Sequence, residues 1–466
     1  MKLGEECGVF GGIAFEDNIA PIIRKGLFML QHRGQESAGL CCGDQTLSLH
    51  KDKGMVMEVL KNKVVKNISG KSGIGHVRYS TQGGSDSAHA QPYMVKYLDE
   101  NVAIAHNGNV KTAIDMRKKL EQEGEVFLTS SDTEMILKKV ISALRKAPSQ
   151  WSYDEIGKVL SDYFTGGAWS ILFGFPGRVI GLRDPLGFRP LFFCEAEEGY
   201  FLSSEDSAFQ LLEPKNIIEI QPGEGVEITP NGYRIQRFAE EMPSKKCVFE
   251  HIYFARPDSN VFGRNVYQTR VEFGKRCAIE NNIEADMVIP VMDSGFAAAI
   301  GYSLESGIPL HMGLVRNHWV GRTFIQPQQK ERRKGVQRKL MPIASVVSGK
   351  RLILIDDSIV RGTTSKEIVK MLKKAGAKEV HFRIASPMII NTCFWGVDIP
   401  TKEELIANSY ESVEEIRNYL EADSLAYLSF DGLKQIFGID GWCYHCFENS
   451  DKIRCDENVK LQTIGS

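Results

Sequence analysis

No stretch of this sequence approaches the roughly 18 to 20 consecutive apolar residues that a helix needs to cross a bilayer. No basic-then-apolar secretory leader opens it either. Neither sign of charge is in surplus: 57 Lys and Arg stand against 59 Asp and Glu, a formal net charge of −2. Nucleic acids and anionic membranes attract clustered positive charge, so neither is an expected partner. Internal repeats and low-complexity segments are also missing, so a solenoid is not expected. These absences lead to the expectation of a cytoplasmic protein. Cysteine is not scarce: in such a compartment, ten cysteines read as free thiols, catalysts or metal ligands rather than disulfides. What remains is a chain of 466 residues, 42% hydrophobic and 25% charged, long enough for two or three domains with cores of their own.

Up to about residue 235 the chain carries short apolar strands separated by Gly, Asn and Asp turns. Val102 to Ala105, Trp169 to Phe173 and Val179 to Leu182 are the clearest. Helical periodicity interrupts them from Ile19 to Gln31 and from Thr133 to Leu144. That mixture predicts a layered α+β domain over residues 7–235. Arg237 to Lys246 is polar and reads as part of a linker, residues 236–260. From 261 to 390 strands and helices alternate, with strands at Asp286 to Val291, Leu310 to Val315, Leu352 to Ile355 and Val380 to Ala385. Helices are expected at Phe296 to Glu305 and Ser365 to Ala375. Alternation of this kind predicts an α/β domain with a parallel, doubly wound sheet. A cysteine-containing tail, 391–466, is expected to pack on it.

The densest signal is Arg351-Leu352-Ile353-Leu354-Ile355-Asp356-Asp357-Ser358-Ile359-Val360-Arg361-Gly362-Thr363-Thr364. An apolar strand ends in two carboxylates, followed by a Ser/Gly/Thr turn and a helix. Such an edge is where open α/β sheets bind ligands, and the turn and helix N-terminus can cradle a phosphate. The acids can hold sugar hydroxyls or a Mg²⁺ that also binds pyrophosphate. Two acids after a strand, or Gly-Thr-Thr alone, are ordinary; the whole run is not. It resembles the signature of the type I phosphoribosyltransferases. The resemblance implies that Ser358, Arg361, Gly362, Thr363 and Thr364 hold a 5′-phosphate. It implies also that Asp356 and Asp357, with Ser294 of Pro290-Val291-Met292-Asp293-Ser294-Gly295, serve the ribose and the metal. Ser294 has a plainer alternative, as a helix cap. Between two sheet strands, Arg316-Asn317-His318-Trp319-Val320-Gly321-Arg322-Thr323-Phe324-Ile325 and the basic stretch from Lys330 to Lys339 are poor in apolar residues. They read as a lid over pyrophosphate.

Near the start, Glu6-Cys7-Gly8-Val9-Phe10-Gly11 opens the first apolar strand. A lone Cys there is more often a small buried hydrophobe, but four polar islands accompany it. They are Gln31-His32-Arg33-Gly34-Gln35-Glu36, Gly75-His76-Val77-Arg78-Tyr79-Ser80-Thr81, His106-Asn107-Gly108-Asn109 and Ser131-Asp132-Thr133-Glu134. In this order they resemble the glutaminase domain of the class II, N-terminal-nucleophile amidotransferases, whose fold is a layered α/β-β/α sandwich. The resemblance implies Cys7 as nucleophile on the glutamine amide, and Asn107 with the N–H of Gly108 as oxyanion hole. It implies Arg78 on the glutamine α-carboxylate and Asp132 on the α-ammonium. If the α-amino group of Cys7 is the base, its pKa of about 8 suits the task, and Met1 to Glu6 must be a short propeptide. Cys41, Cys42, Cys194 and Cys277 lack polar neighbours and read as structural.

A glutaminase ahead of a phosphoribosyltransferase resembles the glutamine-dependent enzymes that aminate phosphoribosyl diphosphate to 5-phosphoribosylamine, the first committed step of purine synthesis. Cys247, Cys393, Cys443 and Cys446 remain, the last two as a C-x-x-C pair. Their spacing permits zinc or an iron–sulfur cluster and does not choose. The resemblance does: one branch of that family carries a [4Fe–4S] cluster at these places, together with a short propeptide. Cys455 is not expected to be a ligand. The family further implies Mg²⁺, feedback by purine nucleotides, and a homotetramer or dimer. The alternative is a non-catalytic phosphoribosyl- or nucleotide-sensing module, which would have no need of the acid pair and lid.

Overall fold

The computed structural model describes residues 7–79, 87–110, 112–317, 340–397, 399 and 401–448. The proposed propeptide, Ser80, Thr81, the lid from His318 to Lys339 and Cys455 lie outside the described residues.

Two antiparallel sheets form the first half. One has seven strands, with Gly8–Ala14 and Ser72–Arg78 near its centre; the other has six, including Glu100–Asn109, Ala168–Phe175 and Arg178–Arg183. Alternating side chains from both sheets meet in a shared core of Val9, Ile13, Ile74, Ala103, Ala105, Leu172, Val179 and Leu202. Helix Ile19–Met29 covers the outer face of the first sheet with Ile19, Ile23 and Leu27. Its start is fixed by Asn18, whose side chain accepts from the N–H of Ala20. Helices Asp132–Leu144 and Tyr153–Tyr163 cover the second sheet. The order helix, sheet, sheet, helix is the layered sandwich expected from the sequence.

In the second half four strands lie parallel, in the order Met287–Pro290, Arg351–Asp356, Glu379–Ile384 and Ser424–Tyr427. Both faces are covered. Val288, Ile353 and Ile355 pack under helices Val266–Glu280 and Phe296–Ser306, whereas Met287, Ile289, Leu352 and Leu354 pack under Thr363–Lys374 and Val413–Leu420. One expected sheet strand differs. Leu310 touches the sheet only through a single parallel bridge to Val288, and Leu314–Arg316 pairs antiparallel with Leu340–Pro342. A Pro at 309 and a Gly at 313 interrupt the ladder there. The tail contributes Ser424–Tyr427 to the main sheet, and Trp442–Cys443 pairs with Lys246–Cys247, joining tail to linker.

Two histidines are sealed into this framework. His76 Nε2 lies 3.0 Å from the carbonyl of His106, and His251 Nε2 lies 3.0 Å from that of Val261. Burial pushes both down to about 3, and the neighbouring charges of Arg78 and Arg270 act in the same direction. The unfolded chain binds these protons near pH 6.5, but the fold refuses them until about pH 3. The resulting stability is therefore complete above about pH 6.5 and declines by about 1.4 kcal/mol per pH unit for each ring as the pH falls. Urea titrations at pH 7 and pH 5 should show a lower midpoint at pH 5; equal midpoints would contradict neutral, buried rings.

Candidate active sites

The central strand of the seven-stranded sheet begins at Gly8, so Cys7 stands at its exposed end. Gly8 is opposite Val77 in the antiparallel ladder, which sets Cys7 beside Arg78 and Tyr79. The Cys7 thiol lies 3.8 Å from the carbonyl of Tyr79. Arg78 is itself nearly buried, 3.9 Å from Glu36. Asn107 lies near the end of strand Glu100–Asn109 of the other sheet, and a short bridge links it to the first. Its Nδ2 donates to Ser204 Oγ at 3.4 Å, and that same oxygen accepts from the N–H of Val9 at 3.0 Å. Gly108 follows with φ +140°, and a Cβ there would stand 2.0 Å from the carbonyl of Ala168. Only glycine satisfies both constraints.

Asp132 opens its helix with the carboxylate 3.6 Å from His106 Nδ1. Burial would lift its pKa, but His106 and the N–H groups of Val110 and Thr133 outweigh it, and the net direction is down. A shallow cavity in front of it is lined by Asn109, Arg117, Ser130, Ser131 and Met135. The structure thus sets Cys7 beside Arg78, ties Asn107 to the same sheet through Ser204, and places Asp132 against His106, the neighbour of Asn107. An amino-acid-sized ligand would meet a thiol, amide and backbone donors, a guanidinium and a carboxylate there.

At the carboxyl edge of the parallel sheet, Ser294 Oγ donates to Asp356 Oδ1 at 3.0 Å, and that oxygen also accepts from the N–H of Asp357. Ser358 Oγ donates to Asp357 Oδ2 at 2.6 Å. Gly362, at φ +71°, turns the chain into helix Thr363–Lys374, whose first-turn N–H groups face the loop. The Arg361 side chain points elsewhere, pairing with Glu404 at 3.0 Å. Arg316 pairs with Asp293 where the proposed lid departs.

The four conspicuous cysteines come from three parts of the chain. Cys247 and Cys443 are register partners, Cys446 lies one turn beyond, and the Cys393 sulfur accepts from the N–H of Trp395 at 3.2 Å. The Cys446 thiol feels the other three, and burial raises it well above the ordinary range; Cys443 is pushed up to about 12. Among the described residues no three His, Cys, Asp or Glu stand at metal-ligand spacing. The sulfurs are gathered without being drawn into a metal-bound geometry. Cys41, Cys42, Cys194 and Cys277 are buried thiols whose pKa burial raises.

Known proteins match this arrangement closely. The glutamine amidotransferase domain family matches residues 76–211. A Bacillus subtilis protein named amidophosphoribosyltransferase is 44% identical over 455 residues, which cover 96% of this chain and 94% of the relative. The chain belongs to the amidophosphoribosyltransferase family. The Methanocaldococcus jannaschii member is 43% identical over 457 residues, covering 94% of this chain and 96% of its own. The solved glutamine phosphoribosylpyrophosphate amidotransferase of B. subtilis, complexed with ADP and GMP, has a TM-score of 0.86 at 42% identity and covers 95% of this chain and 97% of its own. A second structure, described as the allosteric regulatory enzyme of purine biosynthesis, has the same TM-score. The chain is accordingly an enzyme, a glutamine-dependent pentosyltransferase acting at the first committed step of purine synthesis.

For an amidophosphoribosyltransferase, the sequence reading left out a set of buried charges behind Cys7. Arg33 donates from Nε to the Cys7 carbonyl at 3.1 Å and from Nη1 to Glu205 at 2.6 Å; its two terminal nitrogens each reach Glu250 at 2.9 Å. Arg33 lay in a noted island but received no role. Glu205 and Glu250 each sit in an otherwise unremarked stretch. A single acid inside the apolar run Val248 to Phe254 was the available signal for Glu250.

Gly108→Ala, whose Cβ has no room against Ala168, should displace the Gly108 N–H and cut glutamine-dependent turnover by about 10² to 10³, the scale of a misplaced oxyanion donor. Ammonia-dependent turnover by the same preparation should hold within about twofold, since the acid pair is untouched. Parallel steady-state assays with the two nitrogen sources check this.

Proposed function

We propose that this chain hydrolyses glutamine at Cys7 to glutamate and ammonia. The ammonia then displaces pyrophosphate from phosphoribosyl diphosphate, giving 5-phosphoribosylamine. One observation supports the reading: Cys7 and Arg78 stand side by side and Asn107 is tied to their sheet through Ser204, while the same chain carries an acid-pair loop at the edge of a parallel sheet. A sensing module would need no thiol site of this kind.

In this reading Arg78 binds the glutamine α-carboxylate through its planar fork, and Asp132, held ionised, takes the α-ammonium. Cys7 attacks the side-chain amide and its own α-amino group receives the proton, which requires Met1 to Glu6 to have been removed. Asn107 Nδ2 and the Gly108 N–H then receive the developing oxyanion. The present Asn107 bond is long at 3.4 Å, so redirecting it costs little. In the second half, the Arg361 to Thr364 backbone and Ser358 hold the 5′-phosphate, and Asp356 and Asp357 hold the ribose hydroxyls. Arg361 contributes main chain, its guanidinium being engaged by Glu404.

Ser294, Asp356 and Asp357 offer hydroxyl and carboxylate oxygens of the type Mg²⁺ prefers. Bound Mg²⁺ would supply positive charge to the leaving pyrophosphate. Cys247, Cys393, Cys443 and Cys446 are a four-thiol set suited to a [4Fe–4S] cluster, which would tie tail, linker and the Cys393 loop together. The domain division stands as 7–235 for the glutaminase, 236–260 for the linker, 261–390 for the transferase and 391–466 for the tail. Purine nucleotides as inhibitors, a homotetramer or dimer, and a cytoplasmic setting belong to the same reading. Among the described residues no helix is long and apolar enough to cross a membrane.

Cys7→Ala should abolish glutamine use and retain ammonia-dependent synthesis, in a coupled assay whose active wild-type sample begins at Cys7 by intact mass. Loss of both activities, or full activity from an uncleaved chain, would refute the assignment. Anaerobically purified protein should be brown, with visible absorption that fades in oxygen. A colourless protein with stoichiometric zinc would remove the cluster from the account.

A further inference from the structure

The glutaminase site is not closed by the first half alone. Behind Cys7 lie two guanidinium groups and two carboxylates, Arg33, Arg189, Glu205 and Glu250, all sealed from solvent. Three come from residues before 235. Glu250 comes from after the linker strand, in the five-residue π-helix Glu250–Phe254. Its carboxylate holds both arginines: Arg33 through two nitrogens at 2.9 Å each, and Arg189 Nη1 at 3.4 Å. Each arginine carries that grip to a different wall of the site. Arg33 Nε donates to the Cys7 carbonyl. Arg189 donates from Nε at 3.1 Å, and also from Nη2, to the carbonyl of Trp395.

Trp395 brings the second wall. Gly396 lies so close to Gly108 that a Cβ on Gly396 would stand 3.1 Å from the Gly108 carbonyl carbon. Asn109 Nδ2 donates to the Phe394 carbonyl at 2.9 Å, and Trp395 Nε1 donates to that of Gly166. The loop 394–396 is thus a backing plate for the strand end that carries Asn107 and Gly108. Resting on the reading of Cys7 as nucleophile, we propose that Glu250 is a positioning residue for glutamine hydrolysis. One buried carboxylate, supplied from beyond the glutaminase half, fixes the main chain of the nucleophile through Arg33 and the strand end of the oxyanion donors through Arg189 and Trp395.

Charge balance gives the clamp its force. With Glu250 neutralised, the two buried guanidinium groups lose the carboxylate that they share, and the repulsion between them is less opposed. Glu205 cannot substitute. His32, the Ser259 hydroxyl and the Arg256 N–H already share its oxygens, and together with Arg33 they hold it well below the usual carboxylate range despite burial. Arg270 grips the same π-helix through the main-chain carbonyls of His251 and Ala255, contacts that an amide at 250 leaves in place.

The test compares wild type, Glu250→Gln, Glu250→Asp and Cys7→Ala as holoenzyme beginning at residue 7, with glutamine and with ammonium chloride as nitrogen source. Glu250→Gln should lower kcat with glutamine by roughly 10²-fold, the scale of a displacement of about 1 Å at reacting groups. Its KM for glutamine should hold within about threefold, because Arg78 and Asp132 bind the amino acid. Ammonia-dependent turnover should stay within about twofold, and the pH midpoint for Cys7 alkylation by iodoacetamide should move. Glu250→Asp, which keeps the charge on a shorter arm, should fall between Glu250→Gln and wild type. Glutamine turnover equal to wild type in Glu250→Gln, or equal loss with both nitrogen sources, overturns the proposal. If Glu250→Gln does not fold, a wild-type kcat with glutamine in Glu250→Asp overturns it. Glutamine consumption by Cys7→Ala would instead overturn the underlying assignment of the nucleophile. An inactive Cys7→Ala beside an unimpaired Glu250→Gln would remove this inference alone.

Discussion

The molecule is organised around a packet of charge that has no access to water. Arg33, Arg189, Glu205 and Glu250 are sealed from solvent; Arg33 pairs with both carboxylates and Arg189 with Glu250. Taking four charges out of water costs several kcal/mol per ion, and their attraction offsets this only when the geometry is complete. Removing one partner would leave an uncompensated charge in the core. Such an arrangement therefore adds little to net stability while permitting few alternatives, and it selects one relative placement of the two halves.

The two sites sit on different kinds of edge for physical reasons. Acyl transfer from an amide needs a nucleophile and donors fixed within tenths of an ångström, and two antiparallel sheets packed face to face supply strand ends that cannot drift. A phosphate ester needs a concave nest of N–H groups, which a parallel sheet supplies where each strand turns into a helix. Between them runs the π-helix Glu250–Phe254. Its first side chain serves the glutaminase end, and its carbonyls hold Arg270. Burial brings the Arg270 pKa down to about 10, opposed by the carboxylates of both Asp357 and Glu205. That guanidinium lies within electrostatic reach of both halves.

Part of this was legible in the chain. The doubly wound half could be read because its strands are continuous apolar runs and its acid-pair loop is contiguous. The helices Ile19–Met29 and Asp132–Leu144 fell within two residues of expectation because their apolar stripes are regular. The Leu310 to Val315 strand was misplaced because hydrophobic content does not report which ladder a short segment joins. Glu250 passed unnoticed because a lone acid in an apolar run says only that a partner must exist, and its partners lie 217 and 61 residues away.

By itself the sequence determined the inventory and the local geometry: a thiol ahead of a strand, a glycine where the backbone must adopt positive φ, two acids at a strand's end. These follow from neighbours within a few residues, where propensity and sterics act. Tertiary structure alone decided which carboxylate answers which arginine, and that a loop near residue 395 backs the strand end at Gly108. Such pairings arise from burial, which makes distant charges seek one another once water is gone.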